Sequence, residues 1–420
     1  MEKTKIKYIE AGEILDSRGN PTVMTTVVLS NGVKAAAAVP SGASCGALEA
    51  VELRDNKSDR YDGLGTLKAC SNVNVLIRGA LEGKDAENQE NIDNIMINLD
   101  ATENKSKLGA NAILSVSLAC ARAVSVARSM PLYESLQQTF DFDKAIRMPI
   151  PIMNLINGGK HASTNIIFQE FQIIPVLGKT ISEKIEAGSE IFHKLGKILQ
   201  EKKMDTDVGN EGGYAPNVES IDEIFLMLES AVKKCNLEIG KDVKIGIDAA
   251  ASSFYDARAK TYTIGPPEKE MQAVDLSRLY SQWIKEYNLY SIEDPFDEES
   301  WNDWTKFSLE QSDKDINIIG DDLLVTNKER LKEGIEKKSM NAILIKPNQI
   351  GTLSETVKTI KFAQENNIKI IISHRSGETN DAFISDLAVA CSAEFLKAGA
   401  PSRGERVAKY NRLMEIEKGI

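Results

Sequence analysis

Beyond Met148 the chain repeats one pattern: a short apolar run, a polar residue at its end, then a segment with helical spacing. After an opening PIPIMNLING and FQEFQIIPV, the runs read VKIGID, LYSIED, INIIGDD, NAILIK, IKIIISHRS and EFLKAG. Strands that read as near-continuous apolar runs are covered on both faces, and alternation with helices makes them parallel. Repetition over this length predicts a closed α/β barrel. In such barrels the reactive groups gather at the C-terminal strand ends. Those ends carry Asp248, Glu293 with Asp294, Asp321 with Asp322, Lys346, His374-Arg375-Ser376 and Lys397.

The preceding part of the chain is organised differently. Residues 6–14, 22–29 and 33–39 read as short strands, the last two joined by a Ser30-Asn31-Gly32 turn, and predict an antiparallel meander. The small residues from Pro40 to Gly46 predict a mobile loop. From Ala47 to about Gln138 the spacing is helical, and from Gly109 to Ala127 apolar residues cover nearly every face, as in a buried helix. At 420 residues the chain exceeds a single ordinary core. The expected division is an α+β first domain, 1–140, and a barrel, 141–420.

A net charge of −11 and a pI near 5.1 exclude a broad nucleic-acid face, which needs clustered Lys and Arg. Cys45, Cys70, Cys120, Cys235 and Cys391 are scattered and never form a C-x-x-C pair, so they read as small buried hydrophobes in a reducing compartment. The N-terminus MEKTKIKYIE has no signal-peptide core, and no run is read as membrane-spanning. The expectation is a soluble, cytoplasmic protein.

Asp248, Glu293 and Asp321 on successive strands would converge at the barrel mouth and need a compensating cation. Oxygen-only ligands point to Mg²⁺. Taken singly, each acid is a solvated strand end or a helix cap, with Asp294 and Asp322 the better cap candidates. Lys346 enters the same mouth. Its ordinary pKa of about 10.4 leaves it protonated at neutral pH, and a nearby metal and other cations should lower it enough to make a base. Arg375 and Lys397 supply charge for a phosphate. Abstraction of a proton beside a carboxylate also needs an acid for the leaving group, and Glu211 in VGNEGGYAP lies between glycines that permit close ligand approach. Of the three histidines, His161 and His374 fall in loops and His193 within a helix, packed or solvated.

With these residues assembled, the chain resembles the enolase family from end to end. The motifs are ILDSRGNPTV, SGASCG, ENKSKLGANAILSVSLA, NGGKHA, FQEF, GNEGGYAPN, SIEDPF, GDDLLVTN, ILIKPNQIGTLSET, SHRSGET and RVAKYNRL. The resemblance implies an N-terminal α+β cap and a barrel that opens ββαα before settling into βα units. It implies dehydration of 2-phosphoglycerate to phosphoenolpyruvate, in a homodimer or a ring of dimers, with two Mg²⁺ per site. Asp248, Glu293 and Asp321 would hold the first ion and Ser41 would help hold the second. Lys346 would be the base and Glu211 the acid. His161, Gln169, Glu170, His374, Arg375, Ser376 and Lys397 would surround the substrate.

Five positions depart from the family pattern: Cys45 for Thr, Leu64 for Lys, Lys160 for Glu, Asn210 for Asp and Ser253 for Glu. Asn210 beside Glu211 removes a like charge, which should lower the Glu211 pKa and make it a poorer acid. These departures keep open a paralogue acting on a related phosphorylated or phosphonylated carboxylate. A binding or structural homologue without activity is the remaining reading, and the complete set of acids, base and cations argues against it.

Overall fold

The computed structural model of the protein describes residues 4–42, 46, 48–56, 59–143 and 145–419. Cys45, one of the five departures, and Lys144, near the expected domain boundary, lie outside the described residues.

Strands β1 (Ile6–Leu15), β2 (Pro21–Leu29) and β3 (Lys34–Ala38) form the antiparallel meander in sequence order. Ile9, Ala11, Val23 and Val27 face inward, as period-two alternation on a half-covered sheet requires, and a register shift between Ile6 and Tyr8 lets Ile6 face inward too. The helix Ala110–Ala127 packs across β2 and β3. It is long and apolar enough to cross a membrane by length and composition, a point the sequence reading did not grant, but most of it is enclosed by protein. Residues 48–56 are not helical, contrary to the expected helical run, and among the described residues the first α-helix begins at Leu67. Backbone and side-chain partners from elsewhere take this segment: Ala50 N–H donates to Gln349 O, Val51 N–H to Asn104 O and Leu53 N–H to the side-chain Oδ1 of Asn111. Tertiary hydrogen bonds thus override a local helical spacing.

The barrel is closed by β4 (Ile150–Asn157), β5 (Glu170–Pro175), β6 (Val243–Asp248) and, after a small separate sheet of β7 (Tyr255–Asp256), β8 (Thr261–Ile264) and β9 (Lys269–Met271), by β10 (Leu289–Glu293), β11 (Asn317–Gly320), β12 (Ala342–Ile345), β13 (Lys369–Ser373) and β14 (Phe395–Lys397). Strand β5 runs antiparallel to β4 and β6, and the other pairings are parallel. Two helices, Ile181–Glu201 and Ile221–Lys234, follow β5, which gives the ββαα opening. All-parallel alternation, read from the runs alone, therefore fails at one strand.

A small apolar cluster of Ile152, Ile174, Ile319, Ala342, Leu344, Ile371 and Phe395 plugs the barrel interior. Neighbouring residues on the same strands, such as Ile343, Ile345 and Ile370, belong instead to the large outer core beneath the helices. Period two therefore places the residue two beyond each plug residue inside the barrel, one layer nearer the mouth. From Ile152, Ile319, Leu344, Ile371 and Phe395 these are Asn154, Asp321, Lys346, Ser373 and Lys397. On the reversed β5 the count runs backward, from Ile174 to Gln172 and Glu170.

Candidate active site

The mouth of the barrel is a layer of buried charge. In register, Asp248 pairs with both Glu170 and Glu293, and Lys397 with Ser373. Lys397 Nζ lies 3.1 Å from Asp248 Oδ2, 2.8 Å from Glu293 Oε2 and 3.1 Å from Glu170 Oε1. Burial alone would lower the Lys397 pKa, but these acids outweigh it and hold the ammonium well above its ordinary range. Glu293 is pushed well above the carboxylate range by burial and by Asp248 beside it.

Asp321 turns toward the next strand. Its Oδ2 pairs with Lys346 Nζ, and Oδ1 accepts 2.9 Å from Gln349 Nε2. Gln349 is fixed in turn by Thr326 Oγ1, which donates to its Oε1 at 2.7 Å. Burial would lower Lys346, yet Asp321 and Glu293 raise it, and the net direction is upward. The expected fall applies beside a bound divalent ion; with Asp321 paired to the lysine instead, that pairing outweighs burial and the cations Arg375 and Lys397.

A second group forms across the mouth. His161 Nδ1 is 3.6 Å from Glu170 Oε1 and 3.5 Å from Glu211 Oε1, and His374 Nε2 is 3.4 Å from Glu211 Oε2. Asn154 Nδ2 donates to Glu211 Oε2 at 3.1 Å, and Gln172 Nε2 to Glu170 Oε2 at 2.9 Å. These groups compete for the same protons. Burial lowers both histidines, His374 to about 4, so both rings are neutral at pH 7. Burial and the charges of Glu211 and Asp248 push Glu170 well above the ordinary carboxylate range, against the opposing charge of Lys397. Burial also raises Glu211, but hydrogen bonding to His374 and the charge of Arg406 oppose it, and the net direction is well below the ordinary value. The loop carrying Glu211 needs its glycines: Gly212 has φ +87, and a Cβ there would lie 2.7 Å from Ser402 O. Asn210 is held through its backbone, donating to His161 O at 2.9 Å and accepting from Arg406 Nη2 at 2.8 Å. Among the described residues its side chain makes no hydrogen bond, so any effect on Glu211 acts through space.

Arg375 is already engaged by an anion. Glu49 Oε2 lies 2.7 Å from its Nη1 and Glu49 Oε1 3.2 Å from its Nη2, with Asn348 Oδ1 at 3.2 Å from Nη1. Ser41 is not brought to the carboxylates: its N–H and C=O pair with Gly377, and its Oγ lies among Arg18, Arg54 and Glu52. Gln169 Nε2 donates to Asp248 Oδ2 at 3.1 Å, and Ser376 is buried beside Arg375. His193 is exposed on its helix.

Oxygen donors from Asp248, Glu293 and Asp321, all buried, with Glu293 pushed up by burial and by Asp248, fit a hard divalent cation. Among the described residues, however, the groups with three ligand atoms inside 4.8 Å of one another are Asp294 with Asp321 and Asp322, and His161 with Glu170 and Glu211. Asp294 is not a helix cap as expected. Its carboxylate accepts the N–H groups of Asp321 and Asp322 at 2.9 and 2.8 Å and so shapes the turn after β11. Three of the family departures, Leu64, Lys160 and Ser253, are exposed.

Asn154, Gln172, Gln349 and Arg406 escaped the sequence reading. Asn154 and Gln172 sit two residues from plug positions, a signal the strand register carries. Gln349 and Arg406 lie on helices and had none beyond their place in ILIKPNQIGTLSET and RVAKYNRL.

A capped α/β barrel whose mouth brings acids, lysines and imidazoles around one small pocket is the framework of an acid–base barrel enzyme. Residues 6–136 match the enolase N-terminal domain and residues 145–420 the enolase C-terminal TIM barrel domain. The chain belongs to the enolase family, and its chemistry is of the lyase type.

Proposed function

We propose that the protein catalyses the Mg²⁺-dependent, reversible dehydration of 2-phosphoglycerate to phosphoenolpyruvate. The observation that carries this reading is that Lys346, Glu211 and Arg375 line the same pocket, so base, acid and phosphate cation address one small molecule. Lys346 Nζ, once relieved of Asp321, takes the proton from C2. Glu211 assists departure of the C3 hydroxyl, with Glu170, raised well above the carboxylate range, close at hand and His161 Nδ1 between the two carboxylates. Lys397 Nζ orients Glu170 and Asp248. Arg375, with Ser376 beside it, receives the phosphate, which must displace Glu49. Asp248, Glu293 and Asp321 would hold one Mg²⁺, and Ser41 a second after loop rearrangement. The ion, when bound, supplies positive charge for the substrate carboxylate and satisfies the acids that now pair with the lysines.

The scattered thiols agree with a cytoplasmic setting. Cys70, Cys120 and Cys391 are buried and free, and burial pushes the Cys70 thiol up to about 11. A homodimer or a ring of dimers belongs to this proposal. The division into a cap, 1–140, and a catalytic barrel, 141–420, is part of the same proposal.

The test is direct. Purified protein with Mg²⁺ and 2-phosphoglycerate should generate the ultraviolet absorbance of the enol phosphate, and chelation should stop it. Silence at high enzyme concentration removes this reading. Metal-dependent exchange on a phosphonylated analogue in that case assigns the protein to a paralogous substrate, and silence there leaves a non-catalytic homologue.

A further inference from the structure

Arg406 is completely buried in the helix Gly404–Gly419 and touches the site only through other residues. Nη1 lies 2.7 Å from His374 Nδ1 and donates to Arg375 O at 2.6 Å. Nη2 donates to Asn210 O at 2.8 Å and Ser376 O at 2.5 Å. One guanidinium thus gathers the loop before Glu211 and the turn after β13. Its nearest carboxylate is Glu405, 3.4 Å from Nε, so backbone carbonyls do most of the work of solvating this buried charge.

The consequence lies in the imidazole. A guanidinium has five N–H donors and no acceptor. The ring nitrogen facing it must therefore offer a lone pair, which puts the ring proton of neutral His374 on Nε2, the atom 3.4 Å from Glu211 Oε2. We infer that Arg406 is a positioning residue that locks His374 in the Nε2–H tautomer, so that the ring presents a donor, and never an acceptor, to Glu211 and the departing hydroxyl. With Nδ1 protonated instead, Nε2 would set a lone pair against the carboxylate and would open a competing site for the proton that Glu211 must deliver. Burial of His374, which holds its pKa at about 4, keeps the ring neutral and the tautomer meaningful across the working pH range. The kinetic part of this inference rests on the dehydratase reading; the tautomer does not.

The chain has three histidines, so heavy-nitrogen-labelled histidine gives an assignable spectrum, with His374→Gln identifying the His374 signals. In the wild-type protein, without substrate, the unprotonated resonance of His374 should belong to Nδ1. A proton on Nδ1 overturns the inference whatever the enzyme's activity. In Arg406→Met the lone-pair resonance should move partly to Nε2, and turnover should fall roughly tenfold to a hundredfold, the scale for outer partners of functional histidines. Arg406→Lys, which keeps a donor, should restore the wild-type tautomer and part of the rate. An unchanged tautomer in a folded Arg406→Met protein, or a lost rate with the tautomer intact, also overturns it. If Arg406→Met does not fold, the wild-type and lysine spectra decide. A correct tautomer in a protein inert toward 2-phosphoglycerate refutes the substrate reading alone.

Discussion

At the scale of single residues, the two sides of the pocket should separate under mutation. Lys346→Ala removes the only proposed acceptor of the C2 proton, so exchange of that proton with solvent deuterium should cease together with turnover. Glu211→Gln keeps that acceptor but cannot deliver a proton, so exchange should persist while dehydration falls by at least ~100-fold, the scale of a positioned acid or base. Equal loss of both activities in the Glu211 variant would contradict the division of labour. Lys346 was legible because its strand signals its own end and the plug residue two positions earlier fixes the side from which it projects, while Glu211 was marked by the glycines of its loop. Their charge states were not legible. Whether Lys346 titrates down or up depends on Asp321 from the preceding strand, and whether Arg375 is open to a phosphate depends on Glu49, 326 positions away. Spacing along the chain carries no information about such distances. The expected effect of Asn210 on Glu211 would add to influences from other segments, because His374 and Arg406 already act on that carboxyl. Asn210→Asp should raise the Glu211 pKa only through space, and an unchanged pH–rate profile would dismiss the effect.

Among elements, the helix Leu353–Glu365 shows how the cap is fastened to the barrel. Its own N-cap, Thr352, accepts from Glu355 N–H, but the Ser354 N–H and Oγ donate across the domain joint to Asp93 Oδ2 at 2.9 and 2.6 Å. Asp93 lies on the cap helix Gln89–Asp100 and also accepts from Gln89 Nε2 at 3.1 Å. A carboxylate at a helix N-terminus is favourable, yet full burial wins here and pushes Asp93 up to about 6. A folded pKa above the unfolded value favours the native state at low pH, so this contribution is complete below about pH 4 and is lost as pH rises through about 6. Relative to Asp93→Asn, the wild type should therefore lose roughly 3 kcal/mol of stability between pH 4 and pH 7, from a shift of about two pH units. Denaturant melts of both proteins across that range measure it, and parallel curves would show that Asp93 stays ionised. Such a joint could not be read from either helix alone. The meander, the long apolar helix and the barrel runs were legible because their periodicity is local. The segment 48–56 was misread because its backbone partners are remote.

For the molecule as a whole, the joint between cap and barrel decides whether loop residues such as Glu49 and Ser41 meet the barrel mouth. Arg122, on the enclosed cap helix, holds Asp381 of the barrel with Nη1 at 2.8 Å from Oδ2 and Nη2 at 2.6 Å from Oδ1, and Nη1 also donates to Ala36 O. Burial alone would raise the carboxyl, but the guanidinium outweighs it and holds Asp381 below its ordinary value. The sign is thus opposite to that of Asp93: this contribution is present above the unfolded pKa of Asp381 and disappears as pH falls through the lowered one. Removing one partner of this part-buried pair leaves the other charged and poorly solvated, a cost of up to about 3 kcal/mol, the lower end for fully buried pairs. Arg122→Ala should therefore lower the denaturant midpoint strongly at pH 7 and less on acidification, as Asp381 takes a proton. Adding Asp381→Ala should recover much of the loss, because the cost lies in the stranded charge rather than in the missing attraction. If the double variant is no more stable than Arg122→Ala, the pair stabilises by attraction or by packing of the arginine stem on Phe383, whose ring centre lies 5.6 Å from the guanidinium carbon. In that event cap and barrel are joined by shape more than by charge, and the pH dependence of the joint should reduce to that of Asp93.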